Sequence, residues 1–216
     1  MLYYNTVNTL LQECLIKIMA SNVFGEFRLV GGTALSLQIG HRLSVDIDLF
    51  SDTRYGSIDF KSIGQYLSNN FNYVDHFNVD NPSFGMSFTI GTDKENSIKL
   101  DVYYTDTFIQ PPLVIDDIRL ATVEEIIAMK IDVIQRGGRK KDFWDIHELL
   151  PKYSIEKMLH LHEMRYEYGH DRKLIIQKLT DFSIAENDLE PMCLRGKYWE
   201  FIKEDIEDTI KAYHLP

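Results

Sequence analysis

Three aspartates carry the side chains best suited to chemistry in this chain. Asp46 and Asp48 lie in the run GGTALSLQIGHRLSVDIDLF (31–50), and Asp101 lies in SIKLDVYY (97–104). Val45, Ile47 and Leu49 alternate with Asp46, Asp48 and Phe50, the period of a half-buried strand, so both acids point from one face. Side chains two apart on one face are separated by roughly 6.5 Å, which lets the two carboxylates approach one Mg²⁺ or two neighbouring ions. Two Mg²⁺ ions about 3.5–4 Å apart can bind a nucleotide's phosphates and activate an attacking hydroxyl, provided a third acid is present. Asp101 supplies it: Lys99, Asp101 and Tyr103 take one face of their strand, and Ile98, Leu100, Val102 and Tyr104 the other. Taken alone, an Asp-x-Asp is more often the solvated face of an edge strand, and Asp101 can equally be a surface acid of a hairpin. The glycine turn upstream tips the balance toward chemistry.

That turn is Gly31-Gly32-Thr33, which follows a short strand at Phe27–Val30. Two glycines let the backbone bend sharply and approach a ligand. Thr33 is expected to cap a helix from Ala34 to about Ile39, whose free N–H groups and positive dipole end suit a phosphate. Around this run the pattern predicts helices over 2–20 and near 58–67, and a hairpin of strands 83–90 and 97–104. The segment 70–77 reads equally as strand or loop.

After Pro111-Pro112 the composition turns helical to the end, dividing the chain into a core (1–110) and a C-terminal helical region (111–216) expected to pack on the core and complete its site. Thr122 and Glu125 form a capping-box signature opening a helix to about Gln135. Lys130 falls within its apolar stripe. On the next helix, about 139–150, Asp142 falls inside the stripe and Asp145 at its edge. Buried unpaired charges are costly, so these must meet each other, a phosphate or a metal. Lys130 and Asp142 as a structural ion pair, and Lys130 on a triphosphate with Asp142 orienting it or the nucleophile, are compatible readings. Arg136, Arg139, Lys140 and Lys141 are the one dense basic cluster, fit to guide a nucleotide or RNA phosphate, though such runs are commonly solvated helix ends. Helices are also expected at 155–168, 171–179 and 197–213. His160, His162, His170 and His214 lack metal-site spacing and read as surface residues, while Trp199 reads as helix core.

The chain has 216 residues, 44% apolar and 26% charged, which are ordinary globular values. A formal charge of −10 argues against a broad basic nucleic-acid surface, so any polyanionic partner must meet a local patch. Two isolated cysteines, no basic segment leading into an apolar run, and no apolar stretch near the roughly 20 residues that span a bilayer point to a cytoplasmic protein with no membrane partner.

The runs 28–50 and 97–150, the latter ending EEIIAMKIDVIQRGGRKKDFWDIHELL, resemble the AbiEii/AbiGii toxin family of nucleotidyltransferases. The resemblance implies an α+β fold of the DNA polymerase β-like nucleotidyltransferase kind, with a mixed sheet, flanking helices and a C-terminal helical region. It also implies transfer of a nucleoside monophosphate from an NTP with Mg²⁺, as two ions. On that resemblance Gly31, Gly32 and Thr33 hold the β- and γ-phosphates, Asp46 and Asp48 bind metal, and Asp101 is the third acid that assists deprotonation of the acceptor. Lys130 and Asp142 match positions associated with activity, and Asp145 is a weaker match. His41, Arg42 and Ser44 lie in the matched run as candidate phosphate contacts. Family toxins act beside an antitoxin, and some modify the acceptor end of tRNA, so RNA or tRNA is the expected acceptor. Competing readings are a non-catalytic nucleotide- or partner-binding module and a small-molecule, antibiotic-type nucleotidyltransferase, which a deep pocket beside Asp101 would favour.

Overall fold

The computed structural model describes residues 1–76 and 84–214; Phe77 and Ser83, at the ends of expected segments, and the side chains of His76 and His214 lie outside the described residues. The chain divides into two compact units, one of 1–40, 44–107 and 111–121, the other of 41–43, 108–110 and 122–216. Among the described residues no helix is long and apolar enough to cross a membrane.

The first unit is a seven-stranded mixed sheet with three α-helices, α1 (Thr9–Met19), α2 (Gly31–Ile39) and α3 (Phe60–Asn70). Its strands are β1 (Arg28–Leu29), β2 (Asp46–Ser51), β3 (Tyr73–His76), β4 (Gly85–Gly91), β5 (Ser97–Tyr104), β6 (Leu113–Ile115) and β7 (Ile118–Leu120), ordered β3-β4-β5-β2-β1-β7-β6. Alternation sorts the two faces. Ile47, Leu49, Phe88, Ile90, Ile98, Leu100 and Val102 are buried on one, where α1 contributes Leu11, Cys14, Leu15 and Ile18 and α3 contributes Ile63 and Leu67. Asp46, Asp48, Lys99 and Asp101 project from the other.

Segment 70–77, undecided from its residues, contains β3 paired antiparallel to β4. The expectation of helix throughout 111–216 fails at its start. Leu113–Leu120 is a hairpin whose two-residue turn, Asp116-Asp117, has φ of 52° and 61°. Short polar residues tolerate that left-handed conformation, and the primed turn it makes matches the twist of paired strands. Strand β7 then runs parallel to β1 and extends the sheet beyond it.

Helix α2 begins earlier than its residues suggest. Its cap position is Val30, with no capping side chain, and Thr33 lies within the first turn. Thr33 is buried, its hydroxyl donating to the Asp46 carbonyl and lying 2.8 Å from Ser44 Oγ. It therefore ties the helix start to the start of β2, and its hydroxyl does not cap. Gly31 makes the bend possible: its φ is +68°, and a Cβ there would stand 2.7 Å from Asp48 Oδ2.

The second unit is helical: α4 (Val123–Gln135), α5 (Lys140–Leu149), α6 (Ile155–Arg165), α7 (Arg172–Leu179) and α8 (Trp199–His214). Thr122 caps α4 by accepting from the Glu125 N–H at 3.2 Å. Glu125 departs from the capping box. Its carboxylate instead accepts the Ile109 and Gln110 N–H groups at 2.8 and 3.1 Å and pairs with buried Arg165. Trp199 is core, stacked 6.4 Å from Trp144.

Gly31→Ala is expected to lose about 1–2 kcal/mol from the left-handed backbone alone, with more from displacement of Asp48, whereas Gly32→Ala inside the helix should be neutral or mildly stabilising. Urea denaturation midpoints check this, and equal midpoints for wild type and Gly31→Ala would refute the strained-turn account.

Candidate active site

Parallel pairing of β2 with β5 sets Asp48 directly opposite Asp101 and Asp46 opposite Lys99. Partners in register share a face, so the three acids and Lys99 form one polar patch on the two central strands. On the next strand Ser87 stands opposite Asp101 and Thr89 opposite Lys99, and Asp75 of β3 continues the Thr89 row. On the far side Gly31 closes against Asp48. The first turn of α2 leaves the N–H groups of Gly31, Gly32 and Thr33 without intrahelical acceptors, at the positive end of the helix.

Lys99 is the residue that the spacing of acids alone did not single out. Its Nζ lies 2.5 Å from Asp101 Oδ2. Its hydrogen bond to Asp101 outweighs burial, and with the charges of Asp101, Asp48 and Asp46 it holds the ammonium above the ordinary lysine value. All three acids therefore act on this one cation. The signal was present as a same-face Lys-x-Asp pair, which in a strand brings the two side chains within reach of each other. Asp101 Oδ1, by contrast, is buried and has no hydrogen-bond partner among the described residues.

The donors fit a hard divalent ion. Three carboxylates from one face, one oxygen of which is buried and unpartnered, are the ligands that Mg²⁺ or a similar cation takes. As they stand they are not closed around one. Among the described residues no group of three or more His, Cys, Asp or Glu side chains is gathered to hold a metal ion, and an ammonium occupies Asp101 Oδ2.

Lys130 and Asp142 meet inside the second unit, 2.6 Å apart, as part of a larger buried cluster. Its hub is Asp145, which is fully buried although the stripe put it at an edge. Asp145 receives the Arg42 guanidinium at 2.6 and 2.8 Å, Lys130 Nζ at 2.8 Å and His41 Nε2 at 2.7 Å. The second oxygen of Asp142 accepts the Arg139 N–H at 2.9 Å and caps α5. Two cations against two carboxylates leave the cluster near neutral. Burial raises both carboxyls, but Arg42 and Lys130 outweigh it at Asp145, held well below the usual value, and Lys130 does so at Asp142. Burial likewise opposes the Lys130 charge, and Asp145 and Asp142 keep its value raised. His41 and Arg42, candidates for phosphate contact from their place in the run, are thus engaged with Asp145.

The basic run 136–141 is not a uniform surface. Arg136 pairs with Asp132, and Lys140 is buried with its ammonium 5.4 Å from the Trp199 ring. His162, read from the sequence as a surface residue, is fully buried with Nδ1 2.8 Å from His170 Nδ1, while His160 is exposed.

Residues 14–213 match the sequence model of the family described as nucleotidyl transferase AbiEii toxin, type IV TA system. An uncharacterized protein of Aquifex aeolicus is 26% identical over 212 residues, 94% of this chain and 95% of that protein. Among solved structures, a putative nucleotidyltransferase from Helicobacter pylori is similar with a TM-score of 0.59 at 21% identity, covering 94% of this chain and 92% of that one. MenT4, a nucleotidyltransferase toxin from Mycobacterium tuberculosis, is similar with a TM-score of 0.58 at 15% identity, covering 95% and 82%. At such identities the two structures speak for the shared fold.

The buried cluster has a measurable consequence. Asp145→Asn should cost about 3–5 kcal/mol at pH 7, because it leaves buried cations short of a partner. The wild-type carboxyl is depressed in the folded state, so its contribution is complete above the unfolded value of about 3.9 and is lost as the pH falls from there. The stability gap between wild type and variant should therefore narrow from pH 4 downward in denaturant titrations. A gap that stays constant to pH 2.5 would rule the pairing out as a source of stability.

Proposed function

The chain belongs to the AbiEii nucleotidyltransferase toxin family of type IV toxin–antitoxin systems, and from that membership we propose that it transfers a nucleoside monophosphate from an NTP to a hydroxyl of RNA, with tRNA the leading acceptor, using two Mg²⁺ ions. The observation that carries the reading is the rung that sets Asp48 beside Asp101, with Gly31 closed against Asp48. Asp46, Asp48 and Asp101 would hold the divalent ions, which when bound neutralise the triphosphate and polarise the acceptor hydroxyl. The N–H groups of Gly31, Gly32 and Thr33 hold the β- and γ-phosphates at the helix N-terminus. Thr33 acts through its backbone, since its side chain is committed to Asp46. Asp101 assists by accepting the proton of the attacking hydroxyl. The new oxygen–phosphorus bond then forms as the bond to the β-phosphate oxygen breaks, and pyrophosphate leaves. Catalysis is mainly positioning and charge stabilisation.

Lys130 and Asp142 enter this reading as positioning residues. Their charges are engaged with each other and with Asp145, and through that cluster they support Arg42 and the start of α5. The counterpart of the chain is an antitoxin, as the family's type IV designation implies.

A second reading draws on one feature. A cavity of about 340 Å³, lined by Asp75, Ser87, Phe88, Thr89, Ser97, Ile98 and Lys99, adjoins Asp101 on the β4 side. A half-open cleft of that size suits a small-molecule acceptor.

Incubation with each labelled NTP, Mg²⁺ and total RNA, protein and small-molecule fractions separates the two. RNA labelling that falls about a hundredfold or more in Asp46→Ala, Asp48→Ala and Asp101→Ala is the expected result. Equal labelling by wild type and all three variants would end the assignment of the acids, and label confined to small molecules would establish the second reading.

A further inference from the structure

Lys99 occupies the place where a cation is needed, and a second place stands open to it. Its ammonium is bound to Asp101 Oδ2 and lies in the field of Asp46 and Asp48. Its side chain is also part of the wall of the cavity over β3, β4 and β5, which contains a carboxylate of its own, Asp75. Lys99 faces Thr89 across one rung and Thr89 faces Asp75 across the next, so the three side chains form one row. Two strand spacings put the Lys99 and Asp75 backbones about 10 Å apart, within the combined reach of a lysine and an aspartate side chain. Thr89 stands between them, and Ser87 and Ser97 are part of the same cavity wall. About half of the Lys99 side chain is solvent-exposed, so nothing locks it on Asp101.

We propose that Lys99 is a displaceable counter-ion. It holds Asp101 in the ligand-free protein, and divalent-ion binding expels its ammonium from Asp101 into the cavity toward Asp75. The inference rests on the metal-dependent reading above and extends it to a residue whose job is to keep the acids together without metal. Two consequences follow from charge alone. An ammonium and a divalent cation on one carboxylate repel each other, so each weakens the other's hold on Asp101 and they compete for it. Once displaced, the ammonium places its positive charge in the cavity beside the reacting centre, where an acceptor's phosphodiester can use it. The acceptor side of the site therefore becomes favourable to an anion only after the metal side is filled. The unpartnered Oδ1 of Asp101 fits the same account, because one ammonium on Oδ2 satisfies only half of a carboxylate that a divalent ion could engage fully.

The test is Mn²⁺ binding to the full chain, followed by electron paramagnetic resonance, which needs neither nucleotide nor turnover. Removing the competitor in Lys99→Met should tighten Mn²⁺ binding about fivefold, the scale of a partly exposed ion pair. Asp75→Asn should weaken it about two- to threefold in the wild-type background by removing the ammonium's alternative partner, and should have no effect in the Lys99→Met background. That loss of effect separates a moving ammonium from a plain field effect, under which Asp75→Asn weakens binding equally in both backgrounds. Equal effects, or unchanged affinity in Lys99→Met, would overturn the proposal while leaving the enzyme reading intact. Wild-type Mn²⁺ binding that is absent, or indifferent to Asp46→Asn and Asp101→Asn, would overturn the metal assignment itself. All six proteins are compared only where their urea midpoints show them folded, and Lys99→Gln serves in place of Lys99→Met should the latter fail that check.

Discussion

The register between β2 and β5 is the constraint on which the candidate site depends. Their parallel pairing puts Asp48 against Asp101 and Asp46 against Lys99, and the burial of Ile47, Leu49, Leu100 and Val102 fixes that register. A slip of one residue in either strand would turn its aliphatic side chains outward and its charges into the core, so the hydrophobic face enforces the polar one. The acids are thereby held near one another although their mutual repulsion opposes it. Burial of apolar side chains below the sheet, with Lys99 above it, supplies the opposing stabilisation.

A second device works by a different principle. In the helical unit the charges are hidden and what organises them is mutual pairing: Asp145 is surrounded by Arg42, His41 and Lys130, and Asp142 takes a second bond from Lys130 and one from the first turn of α5. Such a cluster contributes little net stability relative to apolar packing, but it penalises any arrangement that leaves one member unpaired. It pins residues 41–43, which begin directly after α2, to helices that lie about a hundred residues later in the chain.

Much of this was legible in the residues because alternation is a local signal. The two-residue period at 45–50 and 97–104 placed Asp46, Asp48 and Asp101 on exposed faces, and the helical stripes placed Lys130 and Asp142 inward. What local pattern could not carry was partnership. Asp145 read as peripheral because its importance comes from Arg42 and His41, far off in sequence. Lys99 read as one more outward residue until the sheet put it among three carboxylates. Thr33 read as a cap because Thr after Gly-Gly before an apolar run commonly is one, yet β2 supplies a carbonyl that takes its hydroxyl instead. The hairpin at 113–120 was missed beside Pro111-Pro112, although Asp116-Asp117 between Val114-Ile115 and Ile118 is a two-residue turn signal in its own right.

Charge also explains why an acidic chain can accept a polyanion at all. With a formal charge of −10, and with Asp46, Asp48 and Asp101 on one face of the sheet beside Lys99, the candidate site carries more carboxylate than is comfortable for a triphosphate. The N-terminus of α2 offers only partial charge in compensation, worth about half an elementary charge. Under the proposed reading, nucleotide binding therefore requires that divalent charge arrive with the nucleotide or before it. The metal then does more than activate the reaction: it converts a surface that excludes the substrate into one that holds it. On that reading an excess of carboxylates is a selectivity device, since the phosphates enter only with their counter-ions, and displacement of Lys99 from Asp101 belongs to the same exchange of charge.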